Sequence, residues 1–240
     1  MMFKKTTNVS LITVIALFAL SVTSVRSSAQ TVKSQIQKMS GWQSCVACAG
    51  ANAAGPGASI STATTGSPAL SGTSRVFHIA SGNPYADALW WKQVGAVNTA
   101  TNLRYDLDFY VTAPQNAQAL EFDTNQANGH MRFIFGSECN IASGHWDVWG
   151  NTAGNWLSTG IPCARPAAYK WHHLTWEYKR TATTLTYIAV TLDGVKHYVN
   201  RTYTGRRSSV NELNIAIQLD MRSNHAAYSE WIDNAKLTVW

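Results

Sequence analysis

Charged side chains are scarce in this sequence, at 13% of 240 residues, with 19 Lys and Arg against 13 Asp and Glu. The basic residues are scattered, adjoining only as the pairs Lys4-Lys5, Lys179-Arg180 and Arg206-Arg207, and the last reads as a solvated turn. No stripe or patch is present that would hold nucleic acid or an anionic membrane. Helix-period apolar patterning is nearly absent. Only Val32, Ile36 and Met39 show it, and they fit a short helix or an N-terminal arm. That lack excludes a parallel sheet built with crossover helices. There is no internal repeat, no GxSxG, no phosphate loop and no Ser, His and Asp arrangement, so the common nucleophilic and nucleotide-binding signatures are missing. Beyond residues 11–20 there is no further apolar run of membrane length, and no membrane insertion is expected.

Lys4 and Lys5 precede the short apolar stretch LITVIALFAL at residues 11–20, and Ser27 and Ala29 stand at the −3 and −1 positions of a cleavage site. Residues 1–29 therefore read as a signal peptide. The run is about half the roughly 20 residues that a bilayer core demands. A secreted protein, extracellular or periplasmic, is expected. Loss of Lys4, Lys5 and Arg26 brings the formal charge from +6 down to +3.

Cysteine is limited to Cys45, Cys48, Cys139 and Cys163, an even number in an exported chain. Three connectivities exist for four cysteines. Closeness in sequence favours Cys45 with Cys48 and Cys139 with Cys163. The Cys-Val-Ala-Cys run lacks the second CxxC or His pair that a zinc site would need.

What is abundant is Thr, Ser, Asn, Gly and aromatic residue, including ten Trp. This is the profile of a β-rich extracellular domain. Residues 30–72 read as an N-terminal arm and a loop-rich start holding at most one weak strand. From 73 to 240 the period changes to two. Strand candidates follow at 74–80, 103–111, 118–125, 130–137, 145–149, 171–179, 184–192, 196–203, 213–220 and 235–240. Asn128-Gly129, Ser143-Gly144 and Asp193-Gly194 mark turns between them. The fold class is all-β, an antiparallel β-sandwich or barrel.

The stretch YKWHHLTWEYKRTATTLTYIAVTLDGVKHYVN at residues 169–200 resembles the Trp-His strand and x-V-D-G-x hairpin of the concanavalin A-like lectin and glucanase superfamily, which implies a jelly-roll sandwich. The stretch ALEFDTNQ at residues 119–126 resembles both the E-x-D-x-x-E strand of laminarinase-type glycoside hydrolases and the E-F-D-T of legume-type lectins. The hydrolase resemblance implies Glu121 as nucleophile and Asp123 as its electrostatic partner, with Gln126 where the acid/base belongs. An amide cannot supply the general acid catalysis that typically contributes about 10²- to 10⁴-fold. The lectin resemblance implies a metal pair on Glu121, Asp123 and His130, with Asn125 or Asn128 adding an amide oxygen. No cofactor is otherwise expected, and a structural calcium is the one candidate.

Sugars stack on indole faces, which directs attention to Trp146, Trp149 and Trp156 between Cys139 and Cys163. On one strand Trp146 and Trp149 point to opposite faces unless the strand bulges. Of Trp90 and Trp91, one belongs to the core. Trp171, Trp176, Trp231 and Trp240 are core by default. His172 and His173 face opposite ways, so neighbours alone cannot make a two-His metal site. The expectation is a secreted polysaccharide- or glycan-binding sandwich whose concave sheet presents Glu121, Asp123, Gln126 and part of the Trp cluster. A glycoside hydrolase or polysaccharide lyase of the same fold, its acid supplied by Glu177 or Asp220, is the first alternative. A structural extracellular domain without a small ligand is the second.

Overall fold

The structure is a computed structural model, and it describes residues 29–46, 57–80 and 82–240. The expected signal peptide up to residue 28, and Cys48, lie outside the described residues. Seventeen strands are formed among the described residues: β1 Thr31–Lys33, β2 Gln43–Val46, β3 Ser59–Thr65, β4 Ser74–Ala80, β5 Asp87–Gln93, β6 Asn102–Val111, β7 Ala117–Asn128, β8 Met131–Phe135, β9 Ser137–Asn140, β10 His145–Gly150, β11 Asn155–Pro162, β12 Trp171–Arg180, β13 Thr184–Leu192, β14 Val195–Thr204, β15 Arg206–Arg207, β16 Asn211–Met221 and β17 Tyr228–Val239.

They make two antiparallel sheets. One runs β14-β13-β12-β6-β17-β4-β3, with β1 added on β17, and the other runs β11-β10-β9-β7-β16-β5-β2, with β8 and β15 attached through β7. Consecutive strands are often in different sheets, as a jelly roll requires. The inner faces interdigitate in the usual sandwich manner. Leu120, Phe122, Ile215, Ile217 and Trp90 from one sheet meet Leu107, Phe109, Leu174, Trp176 and Tyr178 from the other, all at most 2% exposed. Trp146 and Trp176 close the core edge to face at 5.4 Å.

The hairpin at Asp193-Gly194 has positive φ at both turn residues, 49° and 85°. That is the backbone a tight two-residue turn between twisted strands needs. Asp193 also accepts from the backbone N–H of His173 and from His172 Nδ1, tying the hairpin to β12.

Residues 30–72, read as an arm and loops with at most one weak strand, instead supply three strands woven into both sheets. β1 pairs with β17, β2 with β5 and β3 with β4, while Ile36 and Gln37 of a 3-10 turn at Ile36–Lys38 are fully buried. Gln37 and the N–H groups of Leu70 and Ser71 all donate to the buried Asp233. Cys139 and Cys163 form a disulfide, and Cys45 is disulfide-bonded as well. No helix among the described residues is long and apolar enough to cross a membrane.

Of the four tryptophans read as core, only Trp176 is fully buried. Trp171 and Trp231 lie half-buried against Tyr110, at 5.5 Å each, on the outer side of the eight-stranded sheet. Odd-numbered residues of β12 face away from the core, which is why Trp171 cannot enter it.

Candidate functional site

β7 is the central strand of the nine-stranded sheet. Period two sends Leu120, Phe122, Thr124 and Gln126 inward and Glu121, Asp123 and Asn125 outward. On that outer face lies a pocket of about 420 Å³. Its floor includes Glu121, Asp123 and Asn125 from β7, Leu89 and Trp91 from β5, and Asn214 and Ala216 from β16. Trp149 of β10 and Trp156 of β11 wall one side, directly paired across the strands with ring centroids 5.3 Å apart and a 74° interplanar angle. Arg132, Arg206 and Glu212 stand at another side, with Arg132 and Glu212 ion-paired at 2.8 Å.

Gly136 makes the close approach of the wall possible. It falls opposite Asp123 in the register of β7 with β8 and β9. A Cβ there would stand 2.8 Å from Trp149 Cβ and 3.2 Å from Trp156 Cη2. Only glycine leaves that space. Asp123 Oδ1 accepts from the Ser137 N–H just beyond, at 3.0 Å, fixing the carboxylate at the edge of the pocket.

Glu121, Asp123, Trp149 and Trp156 are thus brought together as expected from the sequence. Gln126 and Trp146 are not. Gln126 is 0% exposed on the inner side, where Nε2 donates to Val97 O at 2.7 Å and Ala100 O at 3.1 Å, and Oε1 accepts from Arg180 Nε at 2.8 Å. A residue five positions after Glu121 would share its face only across a bulge. β7 pairs with β16 in unbroken register from Ala119 to Asn128, so no bulge exists. Trp146 obeys the same parity and packs in the core.

His130 is exposed in the turn after β7, whose Asn128 Oδ1 accepts from the N–H groups of His130 and Met131. β7 ends at Asn128, five strand residues beyond Asp123, so His130 lies roughly 17 Å or more from Asp123 and farther from Glu121 at about 3.3 Å per residue. The lectin-type set is therefore not assembled. Glu177 sits on the outer face of the other sheet, paired with Lys196 at 2.6 Å, and cannot serve the pocket. Arg206, read as part of a solvated turn, instead donates through Nε to Asn151 O and lines the pocket.

The structure adds residues that strand-by-strand reading missed. Glu138 of β9 is the cross-strand neighbour of Glu121, and Asp147 of β10 is the neighbour of Glu138. Gln218 of β16 faces Glu121 from the other side, and Asp220, already named from the sequence as a candidate acid, follows it on the same face. Counting outward from Asn128-Gly129 as the two turn residues would set Gly136 opposite Glu121; the observed register centres the turn one residue later, on Gly129 and His130, and sets Glu138 there.

The result is a row of buried acids, with Glu121, Asp123, Glu138 and Asp147 each between 4% and 7% exposed. Among the described residues no Lys, Arg or His pairs with any of them or with Asp220. One ionised pair at 4.8 Å, the span within which oxygens of Glu121, Glu138 and Asp220 lie, repels by about 3 kcal/mol at an effective dielectric constant of about 20. Burial, then the Asp123 and Asp220 charges, pushes the Glu121 carboxyl well above the ordinary range. Burial, Asp220 and Asp147 do the same to Glu138, against an opposing hydrogen bond from Asn140. Burial and Asp87 raise Asp220. Burial also raises Asp123, although its hydrogen bonds with Glu121 and Ser137 pull the other way.

No protein-family model and no curated protein matches the sequence. Solved structures do align with it. Arcelin-5, a lectin-like defence protein from Phaseolus vulgaris, matches over 89% of this chain and 99% of its own, at 7% identity and a TM-score of 0.51. The endo-β-1,4-glucuronan lyase of Trichoderma reesei aligns over 75% and 86%, at 10% identity and a TM-score of 0.46. A structure of carbohydrate-binding modules from the β-sandwich superfamily aligns over 83% of this chain and 57% of its own, at 10% identity and a TM-score of 0.43. The two packed antiparallel sheets and the superposition on arcelin-5 give this chain the concanavalin A-like jelly-roll fold.

Proposed function

We propose that this is an exported glycan-binding protein, non-catalytic, whose ligand occupies the pocket over β7. One observation carries the reading. Three lining residues hold buried polar atoms with no partner in the protein: the donors Trp149 Nε1 and Arg132 Nε, and the acceptor Asn125 Oδ1. Such atoms are costly unless a ligand or water completes them. A mixture of donors and acceptors beside the indole faces of Trp91, Trp149 and Trp156 suits a sugar, whose hydroxyls both donate and accept and whose C–H faces stack on aromatic rings. The Cys139–Cys163 disulfide supports an oxidising, extracellular address.

A hydrolase of the same fold is the second reading, favoured by the raised carboxyl of Glu121 beside Asp123 in the pocket. One experiment separates the two. The exported protein is incubated with insoluble β-1,3-glucan, cellulose, xylan, chitin and agarose, then pelleted, and reducing ends and unsaturated products are assayed in each supernatant. The expected outcome is retention on at least one polysaccharide without product, and at least tenfold weaker retention for Trp149→Ala. Product release would establish the enzyme. Absence of retention on every polysaccharide would remove the glycan reading.

A further inference from the structure

Next to the pocket, three adjacent strands place four oxygen-bearing side chains on one face. Glu138 is on β9, Glu121 on β7, and Gln218 and Asp220 on β16. We propose that Glu121, Glu138 and Asp220, together with the amide oxygen of Gln218, bind one divalent cation of the calcium class. This site is a different one from the Glu121, Asp123 and His130 set that the lectin resemblance implies, and it stands whether or not the pocket takes a glycan.

The geometry fits the ion. One oxygen from each carboxylate lies within 4.8 Å of the other two. Ligands on opposite sides of a calcium ion at 2.3–2.6 Å are separated by about that distance. All the candidate ligands are oxygen, with no nearby His or Cys in the group, which selects a hard cation over zinc or copper. Neighbouring central strands fix the carboxylates in place, so little ordering is left for binding to perform.

A group of acids alone would not establish a site, but Gln218 gives independent support. It is 3% exposed, and its Nε2 donates to Asp220 Oδ1 at 2.8 Å. That bond fixes the orientation of the amide, because a carboxylate can take only the NH₂ end. The amide oxygen is left buried with no donor. Glu121 Oε2 and Asp147 Oδ1 are in the same condition. Every unpartnered polar atom of this row is an acceptor. A shared proton, as between Glu121 and Asp123, satisfies one acceptor at a time, whereas a cation satisfies several and cancels the charge.

The test titrates EDTA-treated full-length protein with CaCl₂ at pH 7.5, following heat of binding and thermal unfolding. A single site is expected, with Tm rising by roughly 5–10 °C at about 100-fold excess over Kd. Glu138→Gln and Asp220→Asn, which preserve shape while removing charge, are each expected to weaken binding at least tenfold, whereas Glu177→Gln on the other sheet leaves it unchanged. Neither heat nor a Tm shift with Ca²⁺, Mg²⁺ or Mn²⁺ would overturn the proposal, and the wild-type titration alone delivers that result. Unchanged affinity in both variants would overturn it equally.

Discussion

Restoring a carboxyl at position 126 separates two ways of reading this chain. If Gln126 occupied the acid/base position that the hydrolase resemblance implies, Gln126→Glu would create a general acid and release reducing ends. The structure leads to the opposite outcome. Gln126 Nε2 donates to Val97 O and Ala100 O inside the sandwich, and a carboxylate has no hydrogen to give either carbonyl. Losing a partner costs a buried group about 1–3 kcal/mol, or roughly 2–6 kcal/mol for the pair. The Arg180 Nε bond to the same side chain becomes charge-assisted, which recovers about 1–2 kcal/mol. Gln126→Glu is therefore expected to destabilise the fold by roughly 1–4 kcal/mol at pH 7, at about 2–4 °C of Tm per kcal/mol for a domain of this size. Urea denaturation gives the stability, and a reducing-end assay on the polysaccharide panel gives the activity. New hydrolysis, or an unchanged urea midpoint, would refute the inward placement of the side chain.

Two further outcomes concern stability. Asp233 accepts from Leu70 N, Ser71 N, Ser71 Oγ, Gln37 Nε2 and Asn234 N. Burial raises its pKa, but the hydrogen bonds from Ser71, Leu70 and Asn234 outweigh that and hold it below the ordinary value. A depressed carboxyl stabilises the fold above its unfolded pKa of about 3.9 and loses that contribution as pH falls through the folded value. Asp233→Asn should thus cost on the order of 3 kcal/mol at pH 7, with the difference from wild type shrinking below about pH 4; equal differences in denaturation at pH 7 and pH 3 would contradict this. The Cys139–Cys163 disulfide spans a sequence separation of 24. The chain-entropy relation for such a loop gives about 3.4 kcal/mol, to be read as a lower urea midpoint in the double Cys139→Ala, Cys163→Ala variant.

The strands whose bounds were read most closely include two with one wetter face. β4 and β13 alternate plainly, and their bounds at Ser74–Ala80 and Thr184–Leu192 coincide with the period-two reading. β5 was missed because it does not alternate: Trp90 is core while Leu89 and Trp91 line the pocket, so both faces are apolar. β11 ends in Gly160, Ile161 and Pro162 at the edge of its sheet, where proline breaks no ladder on the open side. β1 and β2 are too short to show any period. The features that hid these segments arise from the pocket and from edges, where the ordinary rule of one buried face fails.

The same parity explains which part of the candidate site was legible. Glu121 and Asp123 are two apart on one strand, and that spacing alone placed both on one face. Gln126 required an assumed bulge, and the register with β16 removes it. Glu138, Asp147 and Gln218 depend on pairing between strands distant in sequence, which periodicity within a single strand cannot supply. The Asn128-Gly129 signal does not repair this for Glu138: taken as the two turn residues it would pair Glu121 with Gly136, whereas the observed register centres the turn on Gly129 and His130 and pairs Glu121 with Glu138. A two-residue turn fixes the register of both arms, and every pair along the arms follows from it. A turn displaced by one residue shifts every cross-strand partner by two, which keeps the face and changes the pair. The E-x-D spacing was enough for the face of Glu121 and Asp123, and only the observed register between β7 and β9 brings two carboxylates together.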